Sequence, residues 1–81
     1  MAKYDPLRDY LSERTEQTIT LSLKEIEAIV PLPTSAATYE PWWANEDVRT
    51  TSHVQCKAWQ TAGYEAEPNL SAGRITFRRK W

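Results

Sequence analysis

The chain has 81 residues, of which 41% are hydrophobic and 26% are charged, and its net charge is −1 at pH 7. A chain of this length forms one small domain, residues 1–81. No apolar run approaches the roughly 18 residues that span a bilayer, and the N-terminus lacks the apolar segment of a secretion signal. The single cysteine, Cys56, excludes an intramolecular disulfide, and with the single histidine, His53, it falls short of the four ligands of a structural zinc site. We therefore expect a cytoplasmic protein that uses no metal, cofactor or membrane.

The charge is divided unevenly between the two parts of the chain. Residues 1–47 contain four basic and nine acidic groups, whereas residues 48–81 contain six basic and two acidic groups, so the net charges are −5 and +4. The six basic groups are Arg49, Lys57, Arg74, Arg78, Arg79 and Lys80. Such a division can give a nearly neutral protein one positive face. Chance unevenness in a short chain explains it equally well.

The first predicted helix begins at Asp5, a favourable N-cap residue, and Pro6 fits the first helical position. Apolar residues recur at helical spacing as far as Leu11, and the helix should end near Arg14. Residues 18–21 then alternate polar and apolar with β-branched side chains, which predicts a short strand.

The start of the second helix is the strongest local signal in the chain. Ser22 and Glu25 have the spacing of a capping box, in which each side chain bonds to the backbone N–H of the other residue. The helix should run from Leu23 to about Val30, because Pro31 cannot continue it.

A short third helix is predicted over residues 33–39 and is ended by Pro41. Residues 42–45 are expected to be extended. Successive side chains of an extended segment point to opposite faces, so one of Trp42 and Trp43 should pack in the core and the other should be at least partly exposed.

A fourth helix should begin at Thr51 or Ser52 and run to Ala62, with Gly63 as its C-terminal stop. Its apolar residues recur at the spacing of one helical face.

The C-terminal part of the chain predicts a hairpin, because residues 64–67 and 74–78 alternate as strands and residues 68–73 supply a turn. Trp81 should either fold back onto the sheet or extend toward a partner. The predicted fold is therefore α+β, with about four short helices and a small antiparallel sheet. The order of its elements is loosely like that of a winged helix.

Aromatic and polar residues recur at distinctive spacings along nearly the whole chain. The segments are Tyr4-Asp5-Pro6-Leu7, Tyr10-Leu11, Ile19-Thr20-Leu21-Ser22, Glu25-Ile26-Glu27, Leu32-Pro33, Ser35-Ala36, Trp42-Trp43-Ala44-Asn45, His53 with Gln55, and Ala58-Trp59 with Gly63. Together they resemble a family of small bacterial and phage domains that is known as a domain of unknown function. The resemblance implies a DNA-associated role.

The chain departs from that family in one place that bears on function. Relatives tend to carry basic residues between the Ser35-Ala36 pair and the Trp42-Trp43 pair. Here the stretch is Ala37-Thr38-Tyr39-Glu40, which has no positive charge. If those basic residues contact phosphate in relatives, this protein has lost that contact.

Catalytic chemistry has one candidate pair, His53 and Cys56, which lie three residues apart on the predicted fourth helix. A Cys–His nucleophilic pair needs that proximity and an orienting group, for which Asn45 or Gln55 would serve. The favoured alternative is a small buried cysteine beside a hydrogen-bonded histidine. The chain also has only two glycines and therefore no glycine-rich phosphate loop. We predict that the protein is not an enzyme.

The first functional hypothesis is DNA binding through the basic C-terminal half. The six basic groups named above would contact phosphates, and Asn45, His53 and Gln55 would contact base edges. It requires that the six groups gather on one solvent-facing side. Two alternatives remain open, since charged residues also protect an edge strand from pairing, and an Asn side chain also holds a loop by bonding to the backbone.

The second hypothesis is a protein-interaction module, such as a phage accessory factor, an inhibitor of a host protein or a self-associating dimer. Its surface would consist of an exposed tryptophan and the acidic residues of the first half, Asp5, Asp9, Glu13 and Glu16.

Overall fold

The structure, a computed structural model, describes residues 3–80, so the expectation for Trp81 lies outside the described residues. In chain order its elements are α1 (Asp5–Ser12), β1 (Thr18–Ser22), α2 (Leu23–Ile29), α3 (Ser35–Thr38), a 3₁₀ turn (Glu40–Trp43), α4 (Val54–Thr61), β2 (Tyr64–Asn69) and β3 (Arg74–Arg79). The predicted α+β class is confirmed, as is the C-terminal hairpin of β2 and β3.

The three strands form one antiparallel sheet in the order β1-β3-β2, with Thr18 opposite Arg78 and Tyr64 opposite Arg79. Along each strand, buried side chains alternate with more exposed ones. One face of the sheet is therefore packed against the helices, while the other faces solvent. The buried face carries Ile19, Leu21, Tyr64, Ala66, Ile75 and Phe77.

The capping box at the start of α2 is confirmed. The Ser22 hydroxyl accepts the Glu25 N–H at 3.0 Å, and the Glu25 carboxylate accepts the Ser22 N–H at 2.9 Å. The helix ends at Ile29, and Val30 is extended before Pro31.

The predicted N-cap of α1 is wrong by one residue. Tyr4 precedes the helix, and its carbonyl accepts the N–H groups of Leu7 and Arg8 at 3.1 and 3.2 Å. Asp5 consequently lies within the first turn, where its carboxylate interacts favourably with the helix dipole and pairs with Arg8 at 3.3 Å.

The prediction that residues 42–45 are extended is wrong for Trp42 and Trp43, because Glu40–Trp43 forms the 3₁₀ turn with Pro41 near its start, whereas Ala44 is extended. The fixed φ angle of proline favours such a helical beginning. The turn buries Trp43, which is 1% exposed and donates its indole N–H to the Ala36 carbonyl at 2.8 Å. Trp42 is half-buried, so one ring of the pair is partly exposed as expected, although for a different geometric reason.

Helix α4 begins at Val54, later than predicted, and His53 is its N-cap residue. Upstream of the helix, the Thr51 hydroxyl accepts the His53 N–H at 3.0 Å and donates to the Glu46 carboxylate at 2.7 Å. These bonds stabilise a non-helical loop up to residue 53. The predicted stop is correct, since Gly63 has a φ of +93°.

Aromatic rings join the helices to the sheet. Trp43 and Trp59 stack with ring centroids 5.4 Å apart, and Phe77 of β3 lies 6.4 and 6.1 Å from them. Trp42 covers this cluster from outside, 4.7 Å from Trp43. Because α4 carries Trp59, it is held on the buried face of the sheet.

Candidate functional site

Asn45 occupies the position of a neighbouring strand beside β2. Its side-chain oxygen accepts the Ala66 N–H and the Trp59 indole N–H, both at 2.8 Å, and its amide nitrogen donates to the Ala66 carbonyl at 2.9 Å. Trp59 is buried, so this bond also satisfies a polar group of the core. These bonds favour the structural alternative for Asn45 over a contact with a base edge.

The outer edge of β2 is closed along its middle. Lys80 donates its N–H to the Gly63 carbonyl, which fixes the hydrogen-bonding pattern between β2 and β3. The odd-numbered residues of β2 bond to β3, and the backbone groups of Ala66 and Pro68 point outward. Asn45 bonds to both groups of Ala66, and proline has no N–H to offer. The side chains of Glu65 and Glu67 add charge to the same strand. Charges and proline are the devices that keep an edge strand from pairing with another chain.

The outer edge of β1 is open. Arg79 donates its N–H to the Gln17 carbonyl at 2.8 Å, and Leu23 donates to the Gly73 carbonyl at 2.9 Å. Odd positions of β1 therefore bond to β3, and the backbone groups at positions 18, 20 and 22 point away from the sheet. The N–H of residue 22 is taken by the capping box, and its carbonyl accepts the first bond of α2.

Four outward groups then remain on β1, the N–H and C=O groups of Thr18 and Thr20. They have no hydrogen-bond partner within residues 3–80. The strand has no charged residue, proline, glycine or bulge over Thr18–Ser22. Hydroxyl side chains line its solvent face, where the Thr20 and Thr76 hydroxyls lie 3.2 Å apart.

The predicted catalytic candidates are arranged as structural groups. His53 Nδ1 lies 2.6 Å from the Glu46 carboxylate, and the Cys56 thiol donates to the His53 carbonyl at 3.4 Å. Burial raises the pKa of the Cys56 thiol, which opposes the thiolate form that a nucleophile needs. The Thr51 hydroxyl, and after it His53, lower the pKa of Glu46. Gln55 donates to the Trp42 carbonyl at 3.3 Å.

On β3, the arginines alternate between the two sides of the sheet. Arg74 and Arg78 lie on the solvent face, and the Nε of Arg78 is 2.5 Å from the Glu67 carboxylate. Arg79 is half-buried at the other side, where it donates to the Arg14 carbonyl at 2.8 Å and lies 5.0 Å over the Tyr64 ring. The guanidinium of Arg79 therefore joins the ends of the sheet and of α1.

The remaining basic candidates lie elsewhere. Arg49 is bound to the Asp47 carboxylate at 3.1 Å in the loop before α4, and this bond raises the pKa of Arg49. Lys57 is on α4, which covers the buried face of the sheet, opposite to Arg74. Lys80 lies 3.4 Å from the Gln60 side chain. The six basic groups are thus divided between the two sides of the sheet and a loop, and they do not gather on one face.

The acidic surface of the second hypothesis is partly neutralised as well. Asp5 and Asp9 both pair with Arg8, and Glu16 pairs with Arg14 at 2.5 Å. The exposed tryptophan expected there is also half-buried in the aromatic cluster.

The surface formed by residues 3–80 contains clefts that are open to solvent. One, of about 480 Å³, lies beside β2 and is lined by Glu40, Pro41, Trp43, Ala44, Asn45, Ala66 and Pro68. Another, of about 320 Å³, lies between α1 and α4 and is lined by Tyr4, Asp5, Arg8, Val54, Lys57, Ala58 and Thr61. Both have the size of small-ligand pockets, but neither contains a cysteine or histidine beside an acid.

From Lys3 to Lys80, no cluster of histidine, cysteine and carboxylate side chains is suited to hold a metal ion. In the same range, no helix has the length and apolarity that a transmembrane segment requires.

The open edge of β1 was not predicted from the sequence. One sequence feature does indicate it, because Thr18–Ser22 is an alternating strand without the charged residue or proline that protects an edge. What could not be read from sequence is that this strand lies at an edge of the sheet.

Comparison with known proteins gives one match. A family model described as "Domain of unknown function (DUF7662)" matches residues 4–80, and it confirms the resemblance to a domain of unknown function. No curated protein and no solved structure matches the chain, so the likeness to a winged helix stays a prediction.

Proposed function

The chain belongs to the DUF7662 family, and from its geometry we propose that it is a non-enzymatic protein-interaction module of the cytoplasm. Its docking surface is the outer edge of β1, to which an extended segment of a protein partner adds as a further strand. In this mode of recognition, backbone hydrogen bonds provide most of the affinity.

The observation that carries this proposal is the difference between the two edges of one small sheet. On the edge of β2, Asn45 takes both backbone groups of Ala66, and Pro68 has no N–H, so the outward groups of Tyr64 and the Pro68 carbonyl are separated by a blocked position. The edge of β1 leaves four backbone groups of Thr18 and Thr20 unpaired within residues 3–80. An open edge is a hazard that proteins generally prevent, so its presence beside a closed one favours a use for it.

The energy available at this edge suits a reversible interaction. A backbone hydrogen bond contributes about 0.5–1.5 kcal/mol net, so four of them contribute a few kcal/mol before the cost of association. Ile19 is 6% exposed and Leu21 is 5% exposed, so a docked strand gains little new apolar contact with them. We therefore expect a transient partner. Its docking strand should be uncharged, so that it can lie beside the hydroxyl side chains on the solvent face of β1.

The distribution of charge favours this proposal over phosphate binding. Among the six basic groups, Arg49 and Arg78 are bound to carboxylates, and Arg79 is bound to neutral oxygens. A nucleic-acid surface needs several cations on one side.

A pair of substitutions at one position tests the proposal. Thr20→Pro removes an outward N–H without removing a bond to β3, and proline is tolerated at such edge positions. Thr20→Val keeps the N–H and the strand propensity and is the matched control. Each variant is immobilised and exposed to a bacterial lysate. We expect proteins that the wild type and Thr20→Val retain and that Thr20→Pro loses.

Identical capture by Thr20→Pro and the wild type would contradict docking at β1. A parallel anisotropy titration with duplex DNA distinguishes docking at β1 from the first hypothesis, which is DNA binding through the basic C-terminal half. Salt-sensitive binding that Arg78→Glu abolishes would replace the present proposal with DNA binding.

A further inference from the structure

We propose that the strand which docks on β1 is β1 of a second copy of this chain, in a dimer with two-fold symmetry. The inference rests on the proposed function, because it names the occupant of the same edge. It follows from the pattern of open and occupied backbone groups along this strand.

One antiparallel register pairs every open group. If Thr18 lies opposite Thr20 of the second copy, then Thr20 lies opposite Thr18 of that copy, and the two Ile19 residues meet at the symmetry axis. Each Thr18–Thr20 pair exchanges two N–H···O=C bonds, because outward groups at these positions form a hydrogen-bonded pair. The four open groups of each copy are then all satisfied, and none is left over.

The neighbouring registers fail for reasons that the structure gives. With Thr20 opposite Thr20 of the second copy, Thr18 meets Ser22, whose N–H is already bound to Glu25. With Thr18 opposite Thr18, Thr20 meets Glu16, whose carbonyl accepts the Tyr64 hydroxyl at 2.8 Å. A shift by one residue places hydroxyl side chains on the buried face.

The side chains are compatible with a second copy. Threonine faces threonine on the solvent side, and isoleucine faces isoleucine on the buried side, so no like charges are directly opposed. Glu16 comes opposite Ser22 of the second copy, beside the first turn of its α2, where Lys24 is exposed and has no ion pair within residues 3–80. The net charge of −1 per chain adds little repulsion.

Disulfide trapping tests the register. In a hydrogen-bonded antiparallel pair the Cα atoms are about 5.5 Å apart, a separation that a disulfide spans. We therefore expect a mixture of Thr18→Cys and Thr20→Cys chains to form a covalent heterodimer on mild oxidation. Each variant alone should stay uncrosslinked, because the two equivalent positions are more than about 7 Å apart. Cys56 is buried in both variants and serves as the internal control for random oxidation.

Crosslinking of Thr20→Cys alone, or of Thr18→Cys alone, would overturn this register. The absence of any crosslink would overturn the dimer. Sedimentation of the unmodified chain from about 10 μM to about 1 mM provides a measurement that does not depend on variant folding. We expect the weight-average mass to rise with concentration for the wild type and Thr20→Val, and to remain that of a monomer for Thr20→Pro.

The two proposals fail in different ways. A wild-type chain that stays monomeric throughout this range, yet captures a lysate protein that Thr20→Pro loses, would contradict the dimer and leave the docking edge intact. If Thr20→Pro changes neither the capture of lysate proteins nor the concentration dependence of the mass, both the docking edge and the dimer are contradicted.

Discussion

Asn45 bonds to the backbone of Ala66 as a neighbouring strand would, with its oxygen 2.8 Å from the Ala66 N–H and its nitrogen 2.9 Å from the Ala66 carbonyl. A residue from a loop thereby blocks the middle of the outer edge of β2. Because that edge is blocked at Ala66, in the middle of β2, β1 has the more open edge of the sheet, and Thr18 and Thr20 are where we propose that a further strand docks.

Asn45→Ala should destabilise the protein by about 2–4 kcal/mol, because it removes three hydrogen bonds and leaves the indole N–H of Trp59 without its partner. Chemical denaturation measures the difference. Asn69→Ala is the matched control, since Asn69 bonds to Ser71 and Ala72 in an exposed turn. We expect less than about 1 kcal/mol there. Equal losses at the two positions would show that Asn45 is not a special contact.

Neighbouring arginines of β3 should respond differently to truncation. Arg79→Ala removes bonds to the Arg14 carbonyl and the Tyr64 hydroxyl and a stacked ring, so we expect a loss of about 1–3 kcal/mol. Arg78→Ala removes an exposed ion pair with Glu67 and should cost less than about 1 kcal/mol. Thermal unfolding of both variants checks this order, and the reverse order would contradict the placement of the two side chains.

The Cys56 thiol should react slowly with a thiol reagent at neutral pH. It is buried, and burial raises its pKa, so both access and the thiolate fraction are reduced. The rate in denaturant is the reference, and we expect it to be at least about tenfold higher. A native rate equal to the denatured rate would revive the candidate nucleophile.

The loop before α4 should loosen in acid. The Thr51 hydroxyl and His53 hold the pKa of Glu46 below its ordinary value of 4.5. A depressed folded-state pKa means that this contribution is present above pH 4.5 and is lost as the pH falls through the lower folded value. The protection of the His53 amide, whose N–H bonds to Thr51, should fall in that range when its exchange is compared with the unfolded rate at the same pH.

Glu46→Gln is the control, because the glutamine side chain does not titrate and should make the protection of the His53 amide, relative to the unfolded rate, less dependent on pH. If the wild type and this variant show the same dependence between about pH 5 and pH 3, Glu46 does not hold the loop.

Local signals in the sequence predicted much of the fold. The capping box of Ser22 and Glu25 involves residues three apart, and the hairpin depends on strands joined by one turn, so spacing alone indicates both. The extended form predicted for Trp42 and Trp43 was wrong, because the 3₁₀ turn there is stabilised by a bond from the Trp43 indole to the Ala36 carbonyl, seven residues earlier.

The candidate site was harder to predict, because it depends on which strands are neighbours. Arg78 and Glu67 lie eleven positions apart in the chain, and only the register of β2 and β3 brings them together. In the same way, nothing local to Thr20 reveals that β1 lies at an edge of the sheet, with β3 on one side only, or that Asn45 blocks the opposite edge at Ala66.

Amide hydrogen exchange at Thr18 and Thr20, followed residue by residue as the protein concentration is raised, tests the central claim most directly. The account predicts rapid exchange of both amides in dilute protein and increasing protection at high concentration. The amides of Ile19 and Ala66, which bond to β3 and to Asn45, should be protected throughout. Protection of Thr18 and Thr20 that is the same at every concentration would contradict an open edge that docks a second β1.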